Sequence, residues 1–122
     1  MTVGADWIEH RRGDRERLGW MRPQGDGFVV IDLLGREVSG ELEWLDAEKL
    51  LEERGIGYLA DRFELEIEPG HWLLVRIVEA SPDRIRLKKE DWGDVTATAV
   101  YYEVGFPMPA TLRVHAGDAN TL

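Results

Sequence analysis

Apolar side chains recur along this chain chiefly at every second position, in short runs cut by Gly, Pro and Asp. That spacing puts alternate side chains on opposite faces of a strand, so the pattern predicts a mainly β protein. Residues 72–78, Trp-Leu-Leu-Val-Arg-Ile-Val, depart from it by being apolar at nearly every position. A run so short and so rich in branched residues, entered through Pro69-Gly70, predicts a central strand with both faces covered. Just before it, Phe63, Leu65 and Ile67 alternate strictly with Glu64, Glu66 and Glu68. A three-residue loop at Pro69, Gly70 and His71 pairs Ile67 with Leu73, Leu65 with Val75 and Phe63 with Ile77, and sets Glu64 opposite Arg76. A two-residue loop sets Phe63 against Arg76 instead, so the pattern favours the longer one.

The same reading extends along the chain. Residues 7–12 form a candidate strand that ends in the turn chemistry of Gly13-Asp14. Residues 18–22 and 28–34 flank Pro23, Gln24, Gly25, Asp26 and Gly27 and predict a hairpin. Gly35 then breaks the run, and Gly40 closes this part of the chain. A helix is predicted at 46–55, with Asp46 as N-cap, Leu45 and Leu50 as a hydrophobic staple, and Gly55 ending it while Ile56 folds back on Leu51. Ala47, Leu50, Leu51 and Arg54 make its buried stripe. Residues 84–88 alternate but are polar enough for a sheet edge, 96–106 alternate until Pro107 and Pro109 stop them, and 110–115 form a last strand with Leu112 and Val114 inward. The fold class is therefore mainly β (α+β): an antiparallel, barrel-like or strongly curved sheet of about seven or eight short strands with one inserted helix. Residues 1–115 read as a single domain and 116–122 as a flexible tail.

Composition narrows the chemistry. The 122 residues include no cysteine, which excludes disulfides, thiolate-bound metals and a thiol nucleophile, and which suits a cytoplasmic setting. The N-terminus lacks the basic start and apolar core of a signal peptide, and no apolar run approaches a bilayer's thickness, so no membrane association is expected. A net charge of −9 works against nucleic acid and anionic lipid. The excess is concentrated: Glu37 to Glu68 holds eleven acidic residues against Lys49, Arg54 and Arg62, whereas His10 to Arg22 is locally basic. Both stretches read as solvated faces.

No catalytic signature emerges. His10, His71 and His115 are far apart and read as solvated; no metal-ligand spacing or calcium loop occurs, and no cofactor is implied. Gly55-Ile56-Gly57 lacks the third glycine of a dinucleotide fingerprint, and Ser39 and Ser81 lack a nucleophile-elbow setting. Five tryptophans are expected mostly in the core, with Trp92, Phe106 and Met108 left at the surface as a contact site. The segments Leu18-Gly19-Trp20, Gly25-Asp26-Gly27-Phe28-Val29, Asp32-Leu33-Leu34-Gly35-Arg36 and Gly55-Ile56-Gly57-Tyr58-Leu59 resemble those of small proteins of unknown function from high-GC bacteria. That resemblance covers the first half of the chain, rests on turn and core residues, and brings no activity with it. The expectation is a small non-catalytic protein-interaction module that contacts a protein partner or a second copy through Trp92, Phe106 and Met108 or through the acidic helix. The alternative is a small-ligand-binding or weakly enzymatic β-barrel with Glu64, His71, Trp72 and Arg76 at its mouth.

Overall fold

A computed structural model of the chain describes residues 4–91, 96 and 98–116. Among these residues nine strands form two antiparallel sheets. The first contains β1 (Ile8–Arg11), β2 (Arg17–Gln24), β3 (Gly27–Ile31) and β4 (Glu37–Leu42) in chain order. Then come α1 (Trp44–Arg54) and a single 3-10 turn (Gly57–Ala60). The second sheet contains β5 (Arg62–Glu68), β6 (His71–Ala80), β7 (Ile85–Lys89), β8 (Tyr101–Val104) and β9 (Leu112–Val114), in the spatial order β8-β7-β6-β5-β9. The mainly β, antiparallel expectation holds, but the sheets do not close into a barrel. The reason lies in the connection: α1 and the 3-10 turn separate β4 from β5, so these consecutive strands belong to different sheets.

In the first sheet the hairpin of β2 and β3 turns on Gly25-Asp26 alone, because Pro23 and Gln24 already pair with Phe28 and Gly27. Gly25 has φ +57°, the conformation a tight two-residue hairpin asks of its first central residue. Leu18 and Met21 share one cluster while Trp20 joins another, which an unbroken strand forbids for Leu18 and Trp20. Gly19, at φ +151°, makes the switch. The strand covered on both faces is β3: Phe28 and Val30 pack toward α1, and Val29 and Ile31 toward Trp20 and Phe106. The helix begins three residues earlier than the Asp46 cap implies, behind Glu43, and Leu45 is 75% exposed, so no staple forms. Its end matches the expectation: Gly55, at φ +58°, donates its N–H to the Leu51 carbonyl at 3.0 Å, and Ile56 packs against the cluster that holds Leu51.

The register of β5 and β6 differs from the expected one by two residues: Phe63 pairs with Val75, Leu65 with Leu73, and Glu64 with Leu74. The loop is the two-residue Pro69-Gly70, and a bulge between Glu66 and Glu68 absorbs Ile67. A two-residue loop alone would have placed apolar side chains against polar ones; the extra bulge residue restores the parity, so apolar still meets apolar. β6 lies at the centre of its sheet but is covered on one face only: Val75 is fully buried, Leu73 and Ile77 pack beside it, and Arg76 and Val78 are exposed. β7 is interior rather than an edge, and Val114 is exposed although Leu112 is buried.

The two sheets exchange plugs. Leu34, from the β3–β4 connection, is buried among Phe63, Leu65, Val75, Ile85, Leu87 and Leu112 of the second sheet. Phe106, from the β8–β9 connection, is buried among Trp20, Val29 and Ile31 of the first. The turns that carry the plugs touch: Met108 N–H donates to the Leu34 carbonyl at 2.8 Å, and Pro107 lies against Gly35. Gly35 has φ +83°, and a Cβ there would stand 2.5 Å from the Pro107 ring, so position 35 requires glycine twice over.

Candidate functional site

Burying Phe63, Leu65, Val75, Leu87 and Leu112 on the inner face of the second sheet forces their neighbours outward. The outer face accordingly carries Arg62, Glu64 and Glu66 on β5, Trp72, Leu74, Arg76 and Val78 on β6, Arg86 and Lys88 on β7, Tyr101 and Glu103 on β8, and Arg113 on β9. Among the described residues no element lies over it. Tyr101 is 51% exposed and Val78 46%, while Trp72 and Leu74 are half-buried. Register aligns Arg62, Arg76, Lys88 and Tyr101 in one row across four strands.

The carboxylates of this face are engaged away from that row. Glu64 accepts from Arg113 Nε and meets His115 Nδ1, each at 2.7 Å. Those hydrogen bonds, from His115 first and Arg113 second, hold the Glu64 carboxyl below its ordinary range. Glu66 accepts from the Gly70 N–H at 2.9 Å, and Glu79 and Glu103 both bind Arg84. Lys88 lies 3.7 Å from Asp91, and the side chain of Arg76, exposed at the centre, has no hydrogen bond or ion pair among the described residues. Arg113 stacks over Trp72 with its guanidinium carbon 3.7 Å from the ring centre, and Arg86 lies over Tyr101. The face thus interleaves cations with aromatic rings, a pattern that strand-by-strand inspection of the sequence misses because β9 and β8 supply half of it.

Of the four residues expected at a mouth, the structure joins Glu64 and Trp72 only through Arg113. Arg76 stands opposite Arg62 rather than Glu64, and His71 is exposed at the turn, paired with Glu68. The expected contact residues separate too. Phe106 is 3% exposed and forms part of the core, which corrects its placement at the surface; Met108 is half-buried against the second sheet's cluster, and Trp92 lies outside the described residues. The reading of the histidines as solvated holds for His71 alone. His10 bridges β1 to α1, 3.0 Å from Glu52 and 3.6 Å from Glu48, and His115 anchors Glu64.

A second polar cluster is structural. Asp32, 1% exposed, accepts from the backbone N–H groups of Leu34 and Arg36 and from the side chains of Arg36 and Arg54, tying the β3–β4 turn to the end of α1. Both guanidinium groups flank Tyr58, whose hydroxyl accepts the Leu33 N–H at 2.8 Å. Burial raises the Tyr58 phenol to about 12. Among the described residues no group of three or more His, Cys, Asp or Glu could hold a metal, and no helix is long and apolar enough to cross a membrane. The chain matches no protein-family model, no curated protein and no solved structure.

Proposed function

We propose that the protein is a non-catalytic interaction module and that its contact surface is the open face of the five-stranded sheet. One observation carries the reading. Arg62, Arg76 and Lys88 stand side by side on three neighbouring strands, flanked by Trp72, Leu74 and Tyr101, while the carboxylates of the same face are held elsewhere. Arg76 stands directly opposite Arg62 and meets no carboxylate among the described residues, so its exposed guanidinium at the centre of the face is the cation that an anionic partner would pair with. Trp, Tyr and Arg are also the side chains that most often dominate binding energy at protein contacts.

The test uses the tagged protein beside Arg76→Glu and Trp72→Ala variants, each first shown to melt as the parent does. A protein recovered by the parent and lost with both variants supports the proposal. Recovery that is indifferent to both changes refutes it.

A further inference from the structure

We infer that the occupant of the open sheet face is the acidic α1 surface of a second copy of this chain, an inference that rests on the proposed role of that face. Two open faces packed on one another would set the unpaired Arg76 of one copy toward that of the other, which disfavours that arrangement. The complement lies elsewhere on the same molecule. α1 turns Leu45, Glu48, Lys49, Glu52 and Glu53 outward along an open groove of about 430 Å³. Leu45 and Trp44 are 75% and 40% exposed, so the surface offers apolar contact as well as charge. Glu48 and Glu52 share His10, and neither Asp46 nor Glu53 has an ion-pair partner among the described residues. Of the two cations from β4 through α1, Lys49 is solvated and Arg54 is committed to Asp32.

Each side therefore supplies what the other lacks: carboxylates around Leu45 on α1, and cations around Trp72, Leu74 and Tyr101 on the sheet. α1 packs on β2 and β3 of the first sheet, so a copy cannot lay its own helix on its own cationic row. The contact joins two chains through different surfaces and is head-to-tail. Its size limits its strength. A helix of 11 residues is about 16 Å long, and three neighbouring strands span about 10 Å. Such a contact falls below the roughly 1,600 Å² of a standard stable interface, so association is weak, concentration-dependent and screened by salt.

Sedimentation velocity on the full chain tests this at low and high salt, using the parent, Arg76→Glu, Glu53→Lys and an equimolar mixture of the two variants. The parent should associate at low salt and lose about tenfold or more in affinity at high salt. Either variant alone should stay monomeric. In the mixture one parental pair of surfaces survives, the α1 of the Arg76→Glu chain on the sheet of the Glu53→Lys chain, so a two-chain species should return. If Arg76→Glu does not fold, Arg76→Gln serves in its place: alone it should weaken association, and mixed with Glu53→Lys it should regain the two-chain species through the same parental pair. A parent that stays monomeric at low salt and high concentration overturns the inference, as does association that both variants leave intact. If another protein or a single-stranded oligonucleotide binds in an Arg76-dependent way while the parent stays monomeric, self-pairing is wrong; protein capture then leaves the contact face standing. Indifference to Arg76 in both self-association and capture removes both readings.

Discussion

Tyr58 and Asp32 show how single residues hold the two sheets at a fixed offset. Tyr58→Phe removes the acceptor of the Leu33 N–H and leaves that group without its partner, at a cost of roughly 1–3 kcal/mol in urea unfolding. The phenol's raised value also fixes a pH window. Between 10 and about 12 an unfolded chain loses a proton that the folded one keeps, so this contribution is complete below pH 10 and declines as pH rises through the window. Tyr58→Phe should flatten the alkaline loss of melting temperature over that range; an unchanged slope would contradict the burial of the hydroxyl. Glu64 works in the opposite direction. Its carboxyl is held below the ordinary value of 4.5, so its contribution is present above that pH and is lost as pH falls through the lowered value. Glu64→Gln should reduce the acid-side decline in melting temperature, and because the pair lies at the surface the change should stay within about 1 kcal/mol.

At the scale of elements, the decisive parts are the two plugs. Phe106→Ala should destabilise by about 3–5 kcal/mol, as expected for a buried aromatic, and Gly35→Ala should be costly because it demands φ +83° and space occupied by Pro107. Near-neutral effects at both positions in chemical denaturation would contradict the exchange of plugs. These elements also mark how far the sequence could be read. Alternation over residues 62–66 and the Gly55 stop act locally and are found where local chemistry put them, and the turn at Gly25 falls within the expected loop but is two residues rather than five. The β5–β6 register was off by two because a bulge at Ile67 and a two-residue turn satisfy the same apolar parity as a longer loop. Phe106 looked like a surface residue because two prolines exclude a strand, and nothing local says that a non-strand segment is buried by a distant sheet. The apolar run at 72–78 reads as doubly covered for a related reason: pattern counts greasy positions, while Trp72 and Leu74 face outward beside long cationic side chains.

For the whole molecule, charge is separated: acidic on β4 and α1, cationic in a row at the centre of the opposite sheet, with a net of −9. Only the register brings Arg62, Arg76, Lys88 and Tyr101 together, so that row was illegible in a linear reading that placed Glu64 opposite Arg76. The central claim is that this face is the contact surface, and amide chemical-shift mapping tests it most directly. Labelled protein would be titrated with an unlabelled copy or with the protein recovered by capture. The account predicts shifts concentrated at Trp72, Leu74, Arg76, Lys88 and Tyr101, and their loss in Arg76→Glu. Shifts confined to β1, β4 or the Gly25 hairpin, with the open face unmoved, would contradict it.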